Sequence, residues 1–293
     1  MATALSGPFF DNLHDKYLGD KLDNAKTRAE AAWKAELPIL RQFLPLIQAQ
    51  LGERYSINVP LGVGGVSIVL QVIDTNLEVP RALKFARPTP GRESLFSEIL
   101  SGEISYLRQA VHPNIVEIYQ RGTANLANGD LYHFYIMQFI NGAKDAKEYF
   151  EKTPRNVGRL VSVLTQILAG LEQLHKIHVL HGDIKLENIL VAEDGHAVIS
   201  DLGSARHFTE GTPETTLVFT RAYAHPDLIA LAVAGDTDPD RVRTPPYQPH
   251  LYKTRLRSLR LGPEPSTFIG DVRRIPCPQA RTVRQEVFAI DGM

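Results

Sequence analysis

One lysine strongly constrains how this chain can fold, because it lies inside an apolar segment. Lys84 is the fourth residue of Arg81-Ala82-Leu83-Lys84-Phe85, which has the short, apolar character of a strand. A buried ammonium group without a partner is costly, so the fold must bring a carboxylate to it. A helical pattern over 98–110 follows, and three acidic candidates lie in or just before it: Glu93, Glu98 and Glu103. The sequence therefore predicts a strand and a helix joined by an ion pair.

A glycine-rich segment lies between two of the strand-like runs. Five such runs are predicted, over 55–59, 67–73, 81–86, 115–122 and 132–140. Between the first two lies Leu61-Gly62-Val63-Gly64-Gly65-Val66-Ser67-Ile68-Val69. Glycines allow a hairpin to fold over a nucleotide with its N–H groups near the phosphates, although such a hairpin is more often a simple turn. No Gly-Lys-Ser/Thr follows, so the segment is not a Walker loop. A strand rather than a helix comes next, which argues against a Rossmann motif.

A second group of polar residues lies in His181-Gly182-Asp183-Ile184-Lys185-Leu186-Glu187-Asn188-Ile189-Leu190. Its carboxylate can accept a proton from a hydroxyl, its ammonium can neutralise a phosphate oxygen, and its carboxamide can ligate Mg²⁺. Asp201-Leu202-Gly203 follows a short strand 18 residues after Asp183 and adds another carboxylate. These residue types predict phosphoryl transfer.

Six segments in this order resemble the motifs of protein kinases, over about residues 55–227. They are the glycine-rich loop, Ala82-Leu83-Lys84 (like V-A-I-K), His112-Pro113-Asn114-Ile115-Val116 (the turn after helix C), the loop at His181 (like H-R-D-x-K-x-x-N), Asp201-Leu202-Gly203 (like D-F-G), and residues 220–227 (like T-x-x-Y-x-A-P-E). The turn at His112 follows Glu103 by nine residues, which favours Glu103 as the partner of Lys84. Lys185 and Thr220 are typical of the serine/threonine kinases.

The resemblance implies an α+β, protein-kinase-like bilobal fold, with a small antiparallel-sheet N-lobe that carries helix C and a mainly helical C-lobe. It implies ATP as nucleotide, Mg²⁺ as metal and a protein with a Ser or Thr acceptor as substrate. Asp183, Lys185 and Asn188 would be catalytic, and Asn188 and Asp201 would hold Mg²⁺. The residues implied at the nucleotide, with Met137 as gatekeeper, are Leu61, Gly62, Gly64, Gly65, Ser67, Val69, Ala82, Lys84, Glu103, Met137, Gln138, Ile140, Leu190 and Asp201.

Residues 1–54 predict a helical extension before the N-lobe (55–140) and the C-lobe (141–293). Pro38 and Pro45 are expected to interrupt its helix. The extension either packs on the following domain or serves as a docking element for a partner. The C-lobe is expected to be incomplete, because 66 residues follow Asp227 and residues 235–280 are rich in Pro, Arg, Thr and Gly and read as irregular. Residues 284–290 resemble the start of the central large-lobe helix.

Residues 157–178 predict a long amphipathic helix, with seven apolar residues expected in the core: Leu160, Val163, Leu164, Ile167, Leu168, Leu171 and Leu174.

Gly182 stands where many kinases have an arginine that senses a phosphate on the activation loop. We expect activity that does not depend on such a phosphate, because no guanidinium is present there. His-Gly-Asp also resembles the motif of aminoglycoside- and choline-kinase-like enzymes, so a small-molecule phosphotransferase is an alternative. A pseudokinase scaffold is another, suggested by the short large lobe.

Composition limits the remaining classes. Lys and Arg (32) nearly balance Asp and Glu (33), which argues against bulk binding to nucleic acid or an acidic membrane. No apolar run approaches the roughly 20 residues of a membrane span, and the first residues lack the basic start of a secretory signal. The single cysteine, Cys277, excludes an internal disulfide framework. We expect a cytoplasmic protein.

Overall fold

The structure is a computed structural model, and it describes residues 5–19, 23–152 and 156–207. All of these belong to one compact unit. The expectations for 220–227, 235–280 and 284–290 lie outside the described residues.

Two helices precede the first strand: α1 (Gly7–Leu18) and α2 (Asp23–Leu51). The expectation that Pro38 and Pro45 interrupt the second helix was wrong, because both lie inside it. A proline inside a helix costs about 3 kcal/mol, mainly through a lost hydrogen bond. Burial of a large apolar side chain contributes about 1.5–3 kcal/mol, and the buried face of α2 offsets the two prolines with Leu40, Phe43, Leu44, Ile47 and Leu51.

A five-stranded antiparallel sheet follows, in the order β1-β2-β3-β5-β4. Its strands are β1 (Tyr55–Val63), β2 (Ser67–Asp74), β3 (Val79–Ala86), β4 (Ile118–Asn125) and β5 (Leu131–Gln138). Each contains one of the five runs predicted from sequence or overlaps most of it. Helix α3 (Glu93–Gln109) lies between β3 and β4 and begins five residues earlier than predicted. It packs on the sheet through Phe96, Leu100, Ile104 and Leu107. The sheet and its helix confirm the predicted α+β fold class.

The register of the sheet places several predicted site residues side by side. Val69 pairs with Lys84, and Lys84 pairs with Tyr135. One step along, Ala82 pairs with Met137. Because paired residues share a face and alternate residues return to it, all five side chains lie on one face of the sheet.

The second half of the described chain is formed by short strands around one long helix. Its elements in order are β6 (Lys144–Asp145), α4 (Ala146–Lys152), α5 (Val157–Lys176), β7 (Val179–Leu180), a 3₁₀ turn (Leu186–Asn188), β8 (Ile189–Val191), β9 (Ala197–Ile199) and β10 (Arg206–His207). β6, β8 and β9 form one small sheet, and β7 pairs with β10. The polar segment at His181 therefore runs between β7 and β8, which fix both of its ends.

The expectation that α5 buries its whole apolar stripe was only partly right. Val163, Ile167 and Leu174 are buried, but Leu160, Leu164 and Leu168 are 42%, 51% and 43% exposed. Among the described residues, the helix presents to the core the face that contacts β9. Gly170 lies on that face, where an added Cβ would come within 2.9 Å of the Asn114 carbonyl oxygen.

The turn at His112 links the sheet and α3 to the second half. Asn114 Nδ2 donates to the Ala197 carbonyl at 2.8 Å, and the Ile199 N–H donates to the Asn114 carbonyl at 2.9 Å. The Val116 N–H in turn donates to the Ile199 carbonyl at 2.9 Å. These bonds fix β9, and with it the start of the segment at Asp201, against the five-stranded sheet.

Candidate active site

The side chain of Lys84 lies between two carboxylates from distant parts of the chain. Its Nζ is 2.8 Å from Glu103 Oε1 on α3 and 3.1 Å from Asp201 Oδ1 after β9. Lys84 is 4% exposed and Glu103 is 1% exposed. Glu103 Oε1 also accepts the Leu202 N–H at 3.0 Å. The ion pair demanded by the apolar strand is therefore made by Glu103.

The charges of this group shift one another's pKa values. Burial alone would lower the pKa of the Lys84 ammonium, but Asp201 and Glu103 outweigh it and raise the pKa above its usual range. Burial raises the pKa of Glu103, and Lys84 opposes that rise. Burial also favours neutral Asp201, yet Lys84 and the Gly203 N–H hold the pKa of Asp201 well below its usual range. Lys84 and Asp201 are thus charged at neutral pH.

The segment between β7 and β8 brings three predicted catalytic side chains together. Lys185 Nζ lies 3.0 Å from Asp183 Oδ2. Asn188 Nδ2 donates to the Asp183 carbonyl at 2.8 Å and lies 3.3 Å from its Oδ2. The 3₁₀ turn at Leu186–Asn188 makes these contacts possible, because it folds Asn188 back toward Asp183. The Asp183 carboxylate is only 11% exposed.

Gly182 is required by the backbone of this segment. Its φ is +82°, and an added Cβ would collide with the Ser204 carbonyl oxygen. An L-residue is disfavoured both by the left-handed backbone and by the collision. The glycine found in place of the usual arginine therefore has a structural cause in the contact with Ser204.

Two oxygen donors suit a divalent cation. Asn188 uses Nδ2 toward Asp183, which leaves its carboxamide oxygen for a metal. Asp201 uses Oδ1 toward Lys84 and Gly203, which leaves Oδ2. Within the described ranges no group of three or more His, Cys, Asp or Glu forms a metal cluster. Mg²⁺ does not require one, because it takes one or two protein oxygens and completes its shell with water and phosphate.

The glycine-rich segment forms the turn between β1 and β2. Gly62 pairs with Val69, and the Gly64 N–H donates to the Ser67 carbonyl at 2.8 Å. Gly65 lies at the tip, and Leu61 is a partly buried residue of β1. The turn leads into β2, in which Val69 pairs with Lys84 of β3, so it ends close to Lys84.

The end of β5 supplies the predicted adenine edge. Met137 is buried, and the Gln138 N–H donates to the Glu117 carbonyl at 2.8 Å. Because the Gln138 N–H is already used, its carbonyl is the backbone group that could accept a hydrogen bond from the adenine base. Ile140 follows in a turn in which its carbonyl accepts the Ala143 N–H at 3.2 Å. Leu190 lies in β8 and is partly buried.

Comparison with known families agrees with this geometry. The sequence model of the protein kinase domain matches residues 55–240, a range that contains the glycine-rich loop, Lys84, the loop at Asp183 and Asp201. The chain belongs to the protein kinase family.

Relatives of this kinase chain include bacterial and fungal proteins. Serine/threonine-protein kinase PknL of Mycobacterium tuberculosis is 28% identical over 197 residues, which are 67% of this chain and 47% of PknL. Probable serine/threonine-protein kinase pknA2 of Bifidobacterium longum is 31% identical over 182 residues, which are 60% of this chain and 23% of pknA2. Meiosis-specific serine/threonine-protein kinase mek1 of Schizosaccharomyces pombe is 31% identical over 184 residues, which are 60% of this chain and 39% of mek1. The kinase chain spans less than half the length of each of these relatives.

Two charged residues near the glycine-rich loop were missed in the sequence. Glu36 in α2 is fully buried, and Arg87 after β3 is 5% exposed. A signal was present: Glu36 interrupts the apolar stripe of its helix, so the reasoning that singled out Lys84 applies to it equally. In the part of the kinase that the structure describes, no helix has the length and apolar character needed to cross a membrane.

Proposed function

We propose that this chain is a serine/threonine protein kinase that transfers the γ-phosphate of ATP to a protein hydroxyl, with Mg²⁺ as its metal. The observation that carries the proposal is the Lys84 ammonium, 2.8 Å from Glu103 and 3.1 Å from Asp201. A strand, a helix and a loop hold this one buried cation in place. A fixed positive charge of this kind is what binding of the α- and β-phosphates of ATP requires. Family membership and the names of the relatives support the same activity.

Asp183 would orient the acceptor hydroxyl and accept its proton. Lys185, 3.0 Å from that carboxylate, would offset negative charge on the transferred phosphoryl group. Asn188 would hold the segment in shape through its bond to the Asp183 carbonyl. Most of the rate would come from positioning and electrostatic stabilisation, because phosphoryl transfer requires little covalent chemistry from the protein.

Asn188 and Asp201 would hold the metal, through the carboxamide oxygen and Oδ2. When bound, Mg²⁺ would supply positive charge that offsets the negative charge developing on the phosphate oxygens. Lys84 would neutralise the α- and β-phosphates, with Glu103 holding it in place. The adenine would lie between Val69 and Ala82 on one side and Leu190 on the other, next to Met137 and the backbone from Gln138 to Ile140.

Lys185 supports a protein acceptor over a small-molecule acceptor, because it is typical of serine/threonine kinases. The cytoplasm is the location that we propose, because a chain with the single cysteine Cys277 suits a reducing compartment.

The proposal is tested by ³²P transfer from ATP to the chain itself and to a generic basic protein. Asp183→Asn is expected to reduce the rate by a factor of about 10²–10⁴, the usual contribution of a positioned acid or base. Lys84→Ala is expected to reduce it by a factor of about 10²–10³, as for loss of one charge-stabilising donor. The exposed residues Asp194 and Lys147 provide matched controls, Asp194→Asn and Lys147→Ala, which should retain the rate.

The outcomes separate the three candidate functions. Wild-type transfer no faster than that of Asp183→Asn would rule out the protein kinase. Labelling of aminoalcohols or sugars, without labelling of protein, would indicate the small-molecule phosphotransferase. ATP binding without transfer to either class would indicate the pseudokinase scaffold.

A further inference from the structure

Helix α2 places a carboxylate beside the glycine-rich loop. Glu36 is fully buried and accepts hydrogen bonds from three side chains. Arg87 Nε lies 2.8 Å from Oε2 and 3.1 Å from Oε1, and Thr89 Oγ1 donates to Oε1 at 2.7 Å. The hydroxyl of Tyr17 in α1 donates to Oε2 at 2.5 Å. The carboxylate is therefore fully engaged and holds the guanidinium of Arg87 in one orientation.

Arg87 in turn binds the loop at two points. Its Nη1 donates to the Gly64 carbonyl at 3.0 Å, and its backbone N–H donates to the Val66 carbonyl at 2.9 Å. The ring of Tyr17 lies 4.8 Å from the guanidinium carbon, which closes the other side. Gly64 and Val66 flank Gly65, the tip of the turn. Both carbonyls beside the tip are thus bonded to one residue.

These two bonds fix the direction of neighbouring N–H groups. The peptide unit is planar and trans, so a carbonyl and the N–H that follows it point in opposite directions. Holding the Gly64 carbonyl sets the Gly65 N–H, and holding the Val66 carbonyl sets the Ser67 N–H. Gly65 and Ser67 are among the residues implied at the nucleotide, where backbone N–H groups approach phosphate oxygens.

We propose that helix α2 positions the glycine-rich loop for phosphate binding, with Glu36 acting through Arg87. The inference rests on the proposed nucleotide-binding role of the loop. Glu36 and Arg87 are positioning residues, since neither needs to touch the nucleotide. Glu36 also lies outside the range that the protein kinase domain model matches, 55–240. The N-terminal helices are therefore a working part of the nucleotide site in this chain.

Arg87→Lys is the most direct variant. A lysine retains a positive charge for Glu36, but its compact ammonium lacks the second arm that reaches the Gly64 carbonyl. Arg87→Met alone would leave Glu36 buried without its cation, which could unfold the chain. The double variant Glu36→Gln/Arg87→Met avoids this, because it leaves no buried charge. The Gln oxygen can accept from one of the two hydroxyls, Tyr17 or Thr89, and its Nε2 can donate to the other. Arg28→Met is the matched control, because Arg28 is an exposed residue of α2 and its removal leaves no buried carboxylate without a cation.

Binding of ATP and of adenosine to the full chain separates positioning from general stability. We expect Arg87→Lys and the double variant to bind ATP about tenfold more weakly, the loss expected for hydrogen bonds to a charged group. Adenosine, which has no phosphates, should bind as tightly as to the wild type. Amide hydrogen exchange of the unliganded chain should be faster at residues 61–69 in both variants and unchanged in Arg28→Met.

Each other outcome has a definite meaning. Wild-type ATP affinity and loop exchange in both variants would show that the pair only anchors α2, and would overturn the inference. Equal weakening of ATP and adenosine would also overturn it, because that pattern reports general destabilisation. If the wild type binds no ATP, the proposed function fails. Amide hydrogen exchange at residues 61–69 would then still show whether Glu36 and Arg87 hold the glycine-rich loop in place.

Discussion

Lys84 and Glu103 form a buried ion pair of 2.8 Å between β3 and α3. The same glutamate oxygen accepts the Leu202 N–H, and the same ammonium reaches Asp201. One contact therefore aligns the strand, the helix and the segment that carries the second carboxylate. Displacement of α3 would break both contacts of Glu103 at once.

Glu103→Gln should greatly reduce phosphoryl transfer, because Lys84 would lose the charge that orients it. We expect a fall in kcat by a factor of about 10²–10³, as for loss of a preorganised electrostatic contact. Steady-state kinetics with ATP and a basic protein measure it. Glu98→Gln is the matched control, since Glu98 lies exposed on the same helix. An equal effect of both substitutions would contradict the role of the pair.

Gly182→Ala should destabilise the chain more than Gly195→Ala. Both glycines have positive φ, +82° and +86°, so both substitutions cost about 1–2 kcal/mol through the backbone. Only at Gly182 would the added Cβ also collide with the Ser204 carbonyl oxygen, whereas nothing lies within 4 Å of an added Cβ at Gly195. Urea unfolding measures the difference. Equal losses would show that the collision with Ser204 is relieved without cost.

Phosphatase treatment should leave activity unchanged. Gly182 carries no guanidinium that could bind a phosphate on the activation loop, so phosphorylation cannot order that segment through this pairing. The rate of ³²P transfer before and after treatment measures this, with removal of phosphate checked by mass spectrometry. Loss of activity with the phosphate would disprove the expectation.

Stability should fall in acid through His181. Burial lowers the pKa of His181 to about 4, from an ordinary value of 6.5. Between these pH values the unfolded chain binds the proton and the folded chain does not, so the free energy of unfolding falls as pH drops from 6.5 to 4. The loss attributable to this group is about 3 kcal/mol.

His181→Phe provides the reference, because phenylalanine does not titrate. Urea unfolding of both proteins at intervals between pH 4 and 7 should show a smaller acid loss in the variant. Parallel pH profiles would show that His181 is protonated in the folded chain as easily as in the unfolded one.

Much of the fold was predictable because it depends on local patterns. Alternating apolar residues indicated the strands, and Lys84 within one of them required a carboxylate. Pro38 and Pro45 misled the prediction of α2, because helix interruption is a local rule and tertiary burial outweighed it. The apolar residues of α5 were predicted to be buried together. In the described structure, only those on the side toward β9 are buried.

By itself, the sequence determined the family, the order of the site residues and the chemistry that their side chains can perform, since these follow from residue type and spacing. Tertiary structure decided why residue 182 must be glycine and that Glu36 reaches the glycine-rich loop through Arg87. These contacts join segments far apart in the chain. They depend on how helices and strands pack in three dimensions, which no local spacing specifies.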